Sequence, residues 1–175
     1  MSTKADHLAA LAQICRDFGG RLAIVSQRDF DYLFYHDHSS QDWRWEDEEL
    51  SDAPFTSAHG LWWRRKIVYA VHGREEVGAI IHEMGHVFAA PHHPYHECSA
   101  CHEWNWFGWE IAIARKIDAA RSWSRHNANY QTGEGGGGKW GRLAPKSRRK
   151  IVASRLMAAR KIGVIDSEGE PRSVR

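Results

Sequence analysis

The segment "EEVGAIIHEMGHVFAA", residues 75–90, constrains this chain more than any other. Its apolar residues recur with helical periodicity, its acids stand at the start, where they favour the helix dipole, and Pro91 follows its end. A helix is therefore expected over 75–90. In its middle, with apolar flanks on both sides, His82, Glu83 and His86 form the pattern H-E-x-x-H. Positions four apart on a helix lie one turn apart on the same face, so both imidazoles can reach one ion while Glu83 stands beside the open position.

The surrounding sequence predicts an α+β fold. "KADHLAALAQICRDFG" places Leu8, Leu11, Ile14, Cys15 and Phe18 on one helical face and stops at Gly19-Gly20. "RLAIVS" follows as a short strand. "LWWRRKIVYAV", residues 61–71, suits a strand buried on both faces, and it ends in the tight turn "HGR" before the motif, as a substrate-aligning edge strand would. "EWNWFGWEIAIARKIDAARSW", residues 103–123, predicts a second helix with Ile111, Ala114 and Ile117 on its apolar face. "PKSRRKIVASRLMAARKIG", residues 145–163, predicts a helix opened by Pro145 and closed at Gly163, and "VIDSEGEPR" adds a short strand or hairpin. The expected architecture is a small mixed sheet packed on the H-E-x-x-H helix, with further helices around it.

The chain's 175 residues suffice for one domain with a core, residues 1–175. Two segments decorate it: an acidic, turn-rich surface excursion over 36–60 and a basic, helical C-terminal extension over 139–175. The four glycines 135–138 read as an ordinary loop in preference to a lid hinge. Nine tryptophans are many for this length, and those flanking the histidine-rich stretch read as core and cleft walls. No apolar run is long enough for a signal peptide or a membrane span, so a cytoplasmic protein without a membrane partner is expected.

A catalytic zinc needs a third protein ligand beside His82 and His86. Two residues compete. Glu110 lies on the next predicted helix, amid "WFGW" and "IAIA", where a carboxylate is costly unless a cation pairs it. His92 follows His86 by six residues, but that spacing belongs to a pattern with glycine where Ala89 stands, and no methionine turn follows, since Met157 falls in the C-terminal helix. The reading favours Glu110 and leaves His92 open.

The order of strand "KIVYAV", helix "VGAIIHEMGHVFAA" and a following helix bearing a glutamate resembles the zincin metallopeptidases, in particular their glutamate-ligand branch, and is similar to the intracellular ImmA/IrrE family that processes or regulates repressors. The resemblance covers roughly residues 61–120. It implies a zincin-like fold, Zn2+ held by His82, His86 and Glu110, and Glu83 as the general base of a zinc-activated water. "GWEIAIARKI" and the small basic format also resemble small proteins of actinobacterial phages. The implied partner is a protein or peptide substrate of restricted kind, such as a regulator.

Other groups are open to metal or catalysis. Cys98 and Cys101, flanked by His96 and His102, could close a second, structural zinc site, although an unmetallated loop is favoured. Tyr95, His126 and Tyr130 are alternatives for stabilising a developing oxyanion. Charge is divided unevenly: residues 1–110 carry 9 Lys and Arg against 17 Asp and Glu, whereas 111–175 carry 15 against 5. The basic run from Lys139 to Lys161, nine Lys or Arg with no acid, reads as a solvated helical face that neutralises the acidic half. The alternative function is a catalytically silent zinc-binding module that contacts protein or nucleic acid through this region.

Overall fold

The computed structural model describes residues 2–32, 57–58, 66–89, 107–130 and 143–174, with the backbone alone at 57–58 and 127–130. The helices and strands whose bounds lie within the described residues run in the order α1 (Lys4–Asp17), β1 (Arg21–Val25), β2 (Ser57–Ala58), β3 (Ile67–Val71), α2 (Val77–Met84), α3 (Phe107–Lys116), α4 (Ala120–Tyr130) and α5 (Pro145–Lys161), and residues 27–32 are also helical. The fold is mixed α and β and mostly helical.

Helix α1 begins at Thr3, whose hydroxyl accepts from the Asp6 N–H while the Asp6 carboxylate accepts from the Thr3 N–H, a reciprocal cap. It ends where Gly19 adopts φ +76°, and the Gly19 and Gly20 N–H groups bond the Arg16 and Cys15 carbonyls. That turn sends the chain straight into β1. Cys15 is fully buried in α1, and burial pushes its thiol up to about 12, which makes it inert as a nucleophile.

β1 and β3 pair in parallel from Arg21↔Ile67 to Val25↔Val71, and the two-residue β2 pairs antiparallel with β3 on its other side. Every residue of β3 is buried. Val68 and Ala70 face the main core, whereas Ile67, Tyr69 and Val71 pack with Phe30 on the opposite face. The expectation of a strand buried on both faces thus holds over 67–71; residues 61–65 lie outside the described residues. The edge-strand expectation does not hold, because β3 has a paired neighbour on each side.

The segment expected as one helix over 75–90 begins later and changes pitch. Glu76 is the residue before the first turn, α2 runs Val77–Met84, and Gly85–Ala89 continue as a wider π-helical turn. Glu75 and Glu76 therefore stand outside the helix. The Glu75 carboxylate accepts from the Lys4 ammonium at 2.8 Å, and that bond holds its carboxyl down at about 2. Ala90 and Pro91 are outside the described residues.

The helix expected over 103–123 is two helices. Asp118 takes φ +56°, and the Asp118 and Ala119 N–H groups bond the Arg115 and Ala114 carbonyls, closing α3 before α4 starts. Aspartate enters this left-handed region more readily than most residues, so the break is affordable there. The break lets α4 cross α2. A Cβ placed on Gly78 of α2 would lie 2.5 Å from the His126 Cβ and 2.7 Å from the Ser122 carbonyl oxygen of α4. Only glycine permits so close a crossing.

Helix α5 starts at Pro145 and ends before Gly163, as expected. Ala159 is its one fully buried residue, with Ile151, Val152 and Leu156 packed partly against the core. Ile162 is 51% exposed because it lies at the helix cap, where the chain turns away. Beyond it Val164 and Ile165 are buried, Ile165 bridges Pro171 antiparallel, and the Val174 N–H bonds the Phe88 carbonyl. The expected terminal hairpin is present, and it fastens the chain to the end of the H-E-x-x-H helix.

Gly78→Ala tests the crossing. On an exposed helix this change would stabilise by about 1 kcal/mol, but the contacts at 2.5 and 2.7 Å are to the Cβ of the buried His126 and to the Ser122 backbone. Overpacking at roughly 1–3 kcal/mol wins. A lower urea midpoint with an unchanged slope is the expected outcome, and an unchanged or raised midpoint would contradict the crossing.

Candidate metal centre

The three elements α2, α3 and α4 each deliver polar groups into an otherwise apolar interior. His82 and His86 come from α2 and its π-helical turn, Glu110 from α3, Trp123 and His126 from α4. His82, His86 and His126 are 5–6% exposed and Glu110 is 1% exposed. Burial of this kind is stable only where the groups satisfy one another.

They do so in a chain. The Trp123 indole Nε1–H donates to Glu110 Oε2 at 2.8 Å. Glu110 Oε1 lies 3.1 Å from His82 Nδ1, and His82 Nε2 lies 3.1 Å from His86 Nε2. The two rings stand edge to face, with centroids 4.7 Å apart. Trp123 is itself set by Phe107, whose ring meets it at 4.8 Å in an edge contact.

His126 stands next to this chain, its ring 5.8 Å from that of His82. Its Nδ1 faces Glu76 Oε1 at 3.4 Å, and this hydrogen bond lowers the Glu76 carboxyl from its usual range. Glu76 is partly open to solvent, since a cleft of about 330 Å³ lined by Lys4, His7, Glu75, Ser122 and Arg125 opens beside it. A half-exposed carboxylate therefore holds a buried imidazole. Glu83, also half-buried, is the least covered residue of α2.

Two imidazole nitrogens 3.1 Å apart fit a shared metal ion. Zinc–nitrogen bonds of about 2.0–2.1 Å at a tetrahedral angle separate two ligand nitrogens by about 3.3 Å. The donor chemistry, neutral imidazole with a carboxylate behind it, also suits zinc. Among the described residues, no three His, Cys, Asp or Glu side chains stand together as a complete ligand set.

The sequence-derived residues thus fall into groups. His82, His86 and Glu110 are brought together, with Glu83 beside them on α2. His92, Tyr95, His96, Cys98, Cys101 and His102 lie outside the described residues, as do residues 36–56 and the glycines 135–138, and of Tyr130 only the backbone is described. Trp123 and Glu76 belong to the centre but carry no sequence signal of it; the nearest hint is that Trp123 and His126 are three apart and so share a face of α4.

No protein-family model matches the chain, nor does any curated protein or solved structure.

Burial alone would depress the His82 imidazolium, but the charge and hydrogen bond of Glu110, with the charge of Glu83, more than offset it and raise His82 to about 9. In the metal-free protein this raised value stabilises the fold fully below about pH 6.5, the unfolded value. The contribution is lost as pH rises through about 9. Urea unfolding of chelator-treated protein should show greater stability at pH 6 than at pH 9.5, by on the order of a few kcal/mol. That difference should shrink in Glu110→Gln, and an equal pH dependence in both proteins would contradict the assignment.

Proposed function

We propose that the chain is a zincin-like, zinc-dependent peptidase acting inside the cell on a restricted protein or peptide substrate. The observation that carries this reading is the buried pair His82 Nε2 and His86 Nε2, 3.1 Å apart at the spacing of H-E-x-x-H. No helix of the described residues is long and apolar enough to cross a membrane.

His82 and His86 would hold the ion, with Glu110 part of the same centre. When bound, zinc supplies Lewis-acid polarisation of a peptide carbonyl and makes water a competent nucleophile near neutral pH. Glu83, one residue from His82 and the least covered residue of α2, accepts a proton from the attacking water and returns it to the leaving amine nitrogen. Trp123 and Phe107 exclude solvent behind Glu110 and fix its orientation. His126, buried beside His82 and held by Glu76, is the described residue that best suits hydrogen bonding to the carbonyl oxygen as it gains charge.

The test is Glu83→Gln, followed by mass spectrometry on a mixed peptide library with the zinc-loaded protein. Zinc content should be retained and cleavage should fall by about 10²–10⁴-fold. Cleavage at the native rate in this variant would sink the peptidase reading.

A second reading, a binding module using the basic C-terminal region, is favoured by one observation: Lys146, Arg149, Lys150, Arg160 and Lys161 are all exposed on α5. If α5 contacts phosphates, Arg149→Glu with Lys150→Glu should lose retention of a DNA or RNA oligonucleotide at moderate salt and flatten its salt dependence. Equal, weak retention of both proteins would instead mark α5 as a solvated face.

A further inference from the structure

We infer that Glu110 serves this centre as the positioning carboxylate of His82, acting on its Nδ1, and is not itself a ligand of the ion. The inference rests on the zinc-peptidase reading and redistributes roles within its site.

The argument is geometric. The two nitrogens of an imidazole point away from each other, and a metal takes the lone pair of one while the other donates its N–H to a neighbour. His82 presents Nε2 to His86 and Nδ1 to Glu110, each at 3.1 Å. An ion shared by the two Nε2 atoms therefore lies on the far side of the His82 ring from Glu110. Both carboxylate oxygens already have assigned partners, Oε1 at His82 and Oε2 under the Trp123 indole at 2.8 Å. At 1% exposure and wedged between Trp123 and His82, Glu110 has little freedom to swing round.

This placement has a chemical use. A carboxylate on Nδ1 fixes the proton there, which leaves the Nε2 lone pair free for the metal and makes the ring more basic. The same pairing recurs alongside, where Glu76 stands on Nδ1 of His126. It follows that the third protein donor, which the sequence alone assigns to Glu110 or His92, is a residue other than Glu110.

Zinc affinity, read by competition with a chromophoric chelator, and the visible spectrum of the cobalt-substituted protein separate the two roles. Glutamine at position 110 keeps an oxygen that can accept from Nδ1–H. Glu110→Gln should bind zinc about 10–100-fold more weakly than native protein, as loss of an outer carboxylate does, with an unchanged cobalt spectrum. Loss of metal beyond that range, or an altered cobalt spectrum, would overturn the inference in favour of direct ligation, and unchanged affinity would overturn the positioning role. A measurement on the native chain guards against misfolding of the variant: histidine side-chain ¹H–¹⁵N correlations of the zinc-loaded protein should place the metal on His82 Nε2 and a proton on Nδ1. Metal on Nδ1 would overturn the inference. Native protein that binds no zinc would instead remove the peptidase reading, so the two failures are distinguishable.

Discussion

A carboxylate stripped of water is the constraint around which this protein is built. Glu110 is almost wholly buried, and an isolated ionised carboxylate in such surroundings costs several kcal/mol. Trp123 and His82 offset that cost from two other helices. The three helices are consequently not interchangeable apolar cylinders: α3 supplies the charge, α2 the imidazole and α4 the indole. Removing any one member would leave the others buried without compensation, which is the most damaging kind of polar loss.

The rest of the fold brings these elements to the required distance. β3, covered on both faces and flanked by a strand on each side, is a rigid lead-in to α2. Gly78 lets α4 come close enough for Trp123 and His126 to meet partners on the neighbouring helices. Asp118 bends the chain between α3 and α4 so that Trp123 reaches back to Glu110, thirteen residues earlier. Apolar burial drives the packing, but the polar chain selects one arrangement of it.

Much of this was legible in the sequence because the signals are local. Helix α1 with its glycine stop, the two-faced strand, the proline and glycine that bound α5, and the i, i+4 histidines all follow from periodicity or from residues with restricted backbone preferences. The isolation of Glu110 among "WFGW" and "IAIA" likewise marked a buried acid in need of a partner, and the structure buries it. What escaped was non-local or weakly encoded. Asp118 breaks the 103–123 segment although aspartate signals a left-handed turn far less strongly than glycine does. Glu76 pairs with His126, fifty positions further on, for which no sequence period exists, and the widening of the helix at Gly85 has no residue signature at all.

The wider π-helical turn ends at Ala89, and the Phe88 carbonyl within it receives the Val174 N–H. That single bond closes a loop of almost half the chain. Closing so long a loop is entropically slow, and contacts of high sequence separation form late in folding. The Glu110–Trp123 and His82–Glu110 contacts span only thirteen and twenty-eight residues, so the tie at Val174, and not the centre, carries the larger closure cost.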